Sequence, residues 1–137
     1  MHEHPLPRPV SPAQVIALIG IGMFLWFLGV LFLRWASAGG WMAGTPQMII
    51  YALVIPVTWP LVRFAPQVVR LPATETLFAA SVMSMTALLI DGIIIGYTPI
   101  VYATDPALAR ACAGGLLWAV GVAMALGLAL QPRRWLG

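Results

Sequence analysis

The chain has 137 residues, of which 61% are hydrophobic and only 8% are charged, and its formal net charge is +3. Soluble domains carry about 25% charged residues, and a chain of this size cannot bury so much apolar surface in its own interior. The composition therefore excludes an ordinary soluble domain and predicts an integral membrane protein. The basic residues are all Arg and lie at the ends of apolar segments rather than in one stripe, so nucleic acid is not an expected partner.

The N-terminal residues 1–11 are polar and rich in proline, which predicts a flexible tail. His2 and His4 lie in this tail without the fixed geometry of a metal site, so no metal site is predicted. Four apolar segments follow, and about 20 apolar residues are enough to span a bilayer. We predict an all-α integral membrane fold, a small bundle of four transmembrane helices in a single domain over residues 12–131, with a C-terminal tail over 132–137. The predicted helices cover about 12–35, 46–64, 73–97 and 106–130.

The first helix is expected to start after Ser11, a suitable N-cap, with Pro12 at its first position. Its apolar run, Val15 to Leu33, is too long for the core of a signal peptide, which predicts a retained membrane helix. Trp26 lies deep in this run.

The second helix contains Pro56 and Pro60, one turn apart. Each proline removes a backbone donor, so a helix kink is predicted there, and a hinge or a cavity wall is the alternative interpretation. The stretch from Arg63 to Pro72, which includes Pro66, is expected to form a non-helical turn.

The third helix carries the main candidate for function, Asp91, because a carboxylate inside a long apolar segment is costly unless it has a partner or a role. Ser81 and Ser84 share a helical stripe with Asp91, and Gly92 lies close to it. We expect that stripe to face the bundle interior, with Met83 largely elsewhere.

The candidate intramembrane polar site comprises the following residues: Asp91, Ser84, Ser81, Tyr97 and Arg110. In the structural interpretation, Ser84, Tyr97, Arg110 or a partner protein forms hydrogen bonds with Asp91. Tyr97 and Tyr102 are expected to be interfacial aromatic residues.

The fourth helix is expected to start at Asp105-Pro106, an acidic N-cap followed by proline. Small residues recur along one side of it, which predicts a seam for close helix packing. The predicted seam comprises Ala111, Gly114, Gly121 and Ala125. Cys112, the only cysteine, excludes an internal disulfide and is interpreted as a small apolar helix residue.

The distribution of arginines predicts how the chain is oriented in the membrane. With four spans, one side of the membrane receives five arginines and the other receives two. The larger group comprises Arg8, Arg63, Arg70, Arg133 and Arg134, and the smaller comprises Arg34 and Arg110. The excess predicts that both termini are cytoplasmic.

Three short motifs stand out along the helices: Phe24–Gly29 followed by Arg34, then Leu89-Ile90-Asp91-Gly92, and finally Gly114–Ala119. These motifs resemble a group of small four-helix bacterial membrane proteins of unknown function. The resemblance implies a four-helix fold and a multi-pass protein of the bacterial inner membrane. It implies no activity, and the proline-rich N-terminus is not part of the pattern.

An enzyme is not predicted, because the sequence has no nucleophile elbow, phosphate loop or zinc-binding His pair. Glu75 and Asp91 lie 16 residues apart on one helix, about 24 Å at 1.5 Å per residue, and cannot share a site. No cofactor is predicted, although lipid or pigment contact stays compatible with the sequence. The expected partners are membrane lipids and other transmembrane subunits or further copies of the chain.

Two hypotheses follow for function. In the first, the protein is a non-catalytic accessory, assembly or stabilising subunit of a larger membrane complex. In the alternative, it is a small homo-oligomeric proton- or cation-coupled transporter or channel that uses Asp91. A transporter needs Asp91 to face a wetted cavity, whereas a structural subunit needs it dry and hydrogen-bonded.

Overall fold

The fold is all-helical, as the sequence predicted. The computed structural model describes residues 8–132, which leaves His2, His4, most of the N-terminal tail and nearly all of the C-terminal tail outside the described residues. Within the described range the four helices are long and apolar enough to cross a membrane, so the chain is a multi-pass membrane protein. The helices are α1 (Pro12–Ala38), α2 (Gly44–Val68), α3 (Thr76–Tyr97) and α4 (Pro106–Leu130). Two single 3-10 turns, Ala73–Glu75 and Pro99–Val101, precede and follow α3.

The N-terminal ends of α1 and α4 are set by local side-chain chemistry. The Ser11 hydroxyl accepts from the Gln14 amide, and the Gln14 side chain accepts from the Ser11 amide at 2.9 Å, forming a capping box. The Asp105 carboxylate accepts from the backbone amides of Ala107 and Leu108 at 2.8 and 3.0 Å. These bonds satisfy backbone amides in the first turn of each helix that have no partner within the helix. Because the capping residues act locally, both helix starts could be predicted from the sequence.

The prediction of a non-helical stretch from Arg63 to Pro72 was wrong in its first half. The second helix is longer than expected and continues through Pro66 to Val68. Proline has no amide donor of its own, but its carbonyl still accepts, and the Pro66 carbonyl accepts from the amide of Leu71 at 2.8 Å where the helix ends. The helix ends where Arg70 adopts a left-handed conformation, with φ of 59°.

The third helix lies at the centre of the bundle. It packs against α1, α2 and α4, whereas α1 makes only slight contact with α4 and little with α2. Met83 is buried and Gly92 is exposed, contrary to the predicted face of this helix. A helix with three neighbours buries a wider arc than one stripe, and this brings Met83 inside.

Side-chain hydrogen bonds fasten both ends of the bundle. At one end the Gln14 side chain donates to the carbonyl of Val69 at 3.0 Å, and the Gln131 side chain accepts from the amide of Leu77 at 3.0 Å. At the other end Arg34 donates to the carbonyl of Val101 at 3.0 Å. The start of α1, the α2–α3 connection and the end of α4 therefore meet on one side of the bundle.

Candidate functional site

The candidate site is built on Asp91, which lies in the last third of α3. Its side chain is buried, with 3% of its surface exposed. The chain thus takes a carboxylate out of contact with both lipid and water, which is costly unless polar groups compensate.

Two donors from distant parts of the chain meet one oxygen of this carboxylate. The indole Nε1 of Trp26, on α1, donates to Asp91 Oδ1 at 2.7 Å. The hydroxyl of Tyr102, which follows the second 3-10 turn, donates to the same oxygen. Asp91 therefore connects α1, α3 and the α3–α4 connection through one atom.

Tyr102 was expected to be an interfacial aromatic residue like Tyr97, but the structure buries it inside the protein. Its side chain is 1% exposed, because the turn Pro99–Val101 leads the chain back into the end of the bundle. Burial raises the pKa of the Tyr102 phenol, and its hydrogen bond to Asp91 raises that pKa further. The phenol therefore stays protonated and remains a donor.

The second oxygen of the carboxylate, Oδ2, has no hydrogen-bond partner in the described part of the chain. It is the one buried side-chain nitrogen or oxygen atom without a hydrogen bond among residues 8–132. Asp91 also lines a cavity of about 190 Å³ between the helices, called the central cavity below, which is partly open and to which all four helices contribute. The polar side chains in the cavity wall are those of Trp26, Thr58, Ser84 and Asp91, and the rest of the wall is Gly and apolar side chains.

The five candidate polar residues do not come together as one group. Ser84 lines the central cavity with Asp91, whereas Ser81 lines a separate groove between α3 and α4. Tyr97 is 84% exposed, and Arg110 lines a different pocket near the start of α4. The hydrogen bonds expected from Ser84, Tyr97 or Arg110 to Asp91 are instead made by Trp26 and Tyr102.

Sequence reasoning missed Trp26 and Tyr102 as partners of Asp91. A signal did exist for Trp26, because an indole N–H deep in an apolar span needs an acceptor and the chain offers few there. The sequence gives no comparable signal for Tyr102, because the burial of its side chain depends on the path of the α3–α4 connection.

The two prolines of the predicted kink lie within a continuous helix. Neither Pro56 nor Pro60 ends α2, which runs from Gly44 to Val68. Thr58, between them, lines the central cavity. A residue between the two prolines thus lines the cavity, whereas neither proline is among the lining residues, and the helix kink stays a prediction.

The predicted packing seam of α4 divides into two halves. Ala111 packs against the buried cluster around Tyr102, and a Cβ on Gly114 would lie 3.1 Å from the Tyr51 hydroxyl. Gly121 and Ala125 are exposed, and nothing in the described chain lies within 4 Å of a Cβ built on Gly121. Among residues 8–132, the first half of the seam is packed, whereas both residues of the second half are exposed.

No protein-family model, curated protein or solved structure matches the chain. The four-helix architecture agrees with the resemblance drawn from the three short motifs, while membership of that bacterial group stays a prediction. No group of three or more His, Cys, Asp or Glu side chains comes together in the part of the chain that the structure describes.

Proposed function

We propose that this protein is a non-catalytic subunit that stabilises or helps to assemble a larger complex in the bacterial inner membrane, with both termini in the cytoplasm. The observation that carries the proposal is the exposed half of the α4 seam. Gly121 and Ala125 are four residues apart on α4 and both are exposed, and no atom of the described chain lies within 4 Å of a Cβ built on Gly121. Small residues at this spacing allow another transmembrane helix to approach closely.

The environment of Asp91 supports the same proposal. A carboxylate that is 3% exposed and accepts from two donors on one oxygen is suited to holding helices together. In a subunit that binds others through its helix faces, these two hydrogen bonds fix the positions of α1 and α3 relative to each other.

The proposal is tested by the mass and composition of the gently extracted native assembly. We expect the protein to be recovered together with different subunits. Gly121→Leu should release it from them, because a large side chain on this face of α4 prevents the close approach of another helix. Gly20→Leu is the matched control, since Gly20 is an exposed helix glycine with open space around it on α1. Recovery of the wild-type protein alone would contradict the proposal.

A second candidate function is a homo-oligomeric proton- or cation-coupled transporter or channel. It is favoured by the unpartnered Asp91 Oδ2 and by the cavity that all four helices line. Under this proposal Asp91→Asn abolishes coupled flux in proteoliposomes while the protein still folds, since the amide oxygen keeps accepting from Trp26 and Tyr102. Unchanged flux in this variant, or no flux in the wild type, would exclude it.

A further inference from the structure

A second cavity lies at the end of the bundle that carries the α3–α4 connection, where α3 ends and α4 begins. Its volume is about 370 Å³. The side chains in its wall are apolar except for Thr104 and Arg110, and Arg110 lies one turn inside α4. Ile100, Pro106 and Arg110 are all exposed, so the cavity is a groove that opens on the outer surface of the bundle. We call it the Arg110 groove.

Arg110 has no acidic partner in the described part of the chain. At this end of the bundle the Asp105 carboxylate accepts from the first-turn amides of α4, and Asp91 is buried. Glu75 lies at the far end of α3. Arg34, by contrast, already donates to a backbone carbonyl of the α3–α4 connection. An arginine side chain is always charged, so its place in an apolar groove calls for an anion from outside the chain.

An apolar path continues from the Arg110 groove along α3 and α4. Ala113 lies in the wall of the groove, and Leu117 and Met124 follow it on the same side of α4, four and eleven residues further on. Leu117 is 64% exposed, and Met124 lines the groove between α3 and α4 together with Leu88. The surface therefore combines a cation near the end of the span with an apolar path that leads towards the middle of the bilayer.

We infer that the Arg110 groove binds one anionic phospholipid, whose phosphate accepts hydrogen bonds from the Arg110 guanidinium and whose acyl chain lies along Ala113 and Leu117. Arginine binds phosphate through two parallel N–H donors, and the Thr104 hydroxyl is a further donor in the same wall. The groove opens on the membrane-facing surface near the end of a span, which is the level of the lipid headgroups. A free anion would leave the apolar wall uncovered. The site is independent of whether the chain works within a complex or alone.

The test measures binding of dioleoyl phosphatidylglycerol to the purified, delipidated protein by native mass spectrometry. Dioleoylglycerol, which has the same chains and no phosphate, is the neutral comparison. We expect Arg110→Gln to weaken binding of the phospholipid by about fivefold or more, because an arginine–phosphate contact at the membrane surface is lost, and to leave binding of the neutral lipid unchanged. Arg34→Gln is the matched control, since it removes one positive charge at the same end of the bundle, and it should leave both affinities unchanged.

A second pair of variants changes the shape of the groove and keeps its charge. Ala113→Leu should weaken binding of the phospholipid by filling the wall, whereas Ala129→Leu, at an exposed position of the same helix outside the groove, should not. No binding by the wild type, full binding by Arg110→Gln or Ala113→Leu, or an equal loss in Arg34→Gln would overturn the inference. Recovery of the protein with other subunits but without phospholipid binding at the groove would exclude this site alone and leave the proposed function standing.

Discussion

At the scale of single residues, the stability of the site depends on one carboxylate oxygen. Asp91 Oδ1 accepts hydrogen bonds from the indole N–H of Trp26 and the hydroxyl of Tyr102. These two donors offset the cost of removing the carboxylate from water. Removing either donor leaves the buried carboxylate with one hydrogen bond fewer. The resulting loss of stability is larger than the net contribution of an average hydrogen bond, because the carboxylate cannot recover the bond from water.

We predict that Trp26→Phe lowers the free energy of unfolding by about 1–3 kcal/mol, because the phenyl ring cannot donate to Asp91. Reversible unfolding in mixed detergent micelles measures the change. Trp59→Phe is the control, since the Trp59 side chain is 45% exposed. Equal stability of the two variants would show that the indole hydrogen bond contributes nothing.

Tyr102 makes stability depend on pH in the alkaline range. Burial, and then the bond to Asp91, raise the pKa of its phenol above the ordinary value of about 10. Between those two pKa values the unfolded state binds fewer protons than the folded state, so the free energy of unfolding falls as the pH rises. The contribution of Tyr102 is complete below a pH of about 10 and is lost as the pH approaches the folded-state pKa.

Tyr102→Phe should therefore flatten the pH dependence of unfolding above a pH of about 10, relative to the wild type. Unfolding curves of both proteins over the alkaline range provide the measurement, with Tyr97→Phe as the control because Tyr97 is 84% exposed. If the stability of the wild type and of Tyr102→Phe depended on pH in the same way, Tyr102 could not be the group responsible for the alkaline pH dependence.

At the scale of helices, the contact between α1 and α3 depends on one glycine. A Cβ on Gly22 would lie 3.0 Å from the carbonyl oxygen and 3.1 Å from the Cα of Met83. Both are backbone atoms, which cannot move aside as a flexible side chain can. A Cβ at this point therefore requires the two helix backbones to move apart by a few tenths of an ångström, unlike at the open position Gly20 two residues earlier.

Gly22→Ala should separate α1 from α3 and lower the free energy of unfolding by about 1–3 kcal/mol. Gly20→Ala is the matched control and should be neutral or slightly stabilising, because alanine favours helix and nothing lies within 4 Å of it. The two variants are compared by the same unfolding measurement. A neutral Gly22→Ala would mean that the helices do not cross as closely as described.

At the scale of the whole molecule, the hydrogen bonds of Gln14 and Gln131 hold the start of α1, the α2–α3 connection and the end of α4 on one side. Arg34 and Tyr102 lie at the opposite end, where the α3–α4 connection folds over the bundle. The two ends of α2 must then lie on opposite sides of the membrane.

Cysteine labelling tests this arrangement. Ala43 and Gln67 are exposed near the two ends of α2, and Cys112 is fully buried and should stay unlabelled in the wild type. We expect a membrane-impermeant maleimide added to intact cells to label Ala43→Cys, and to label Gln67→Cys only after lysis. Labelling of both variants in intact cells would contradict the topology, and the reverse pattern would contradict the proposed orientation.

The number of helices and most of their ends could be predicted from the amino-acid sequence. Apolar runs long enough to span a bilayer, and caps such as Ser11 and Asp105, act through neighbouring residues, so local chemistry decides them. Asp91 also stood out from sequence alone, because a carboxylate in an apolar run is costly wherever the helix lies.

The groups that contact Asp91 could not be predicted from the sequence, because they depend on how distant segments pack. Trp26 and Asp91 are 65 residues apart in the chain, and their contact depends on how α1 and α3 are rotated and where they cross. The same holds for Tyr102, which is brought inside by a loop, and for Gly121, which a helix pattern could not distinguish from the packed Gly114. A sequence pattern gives the spacing of residues along one helix, but the choice of neighbouring helix is made by packing among all four.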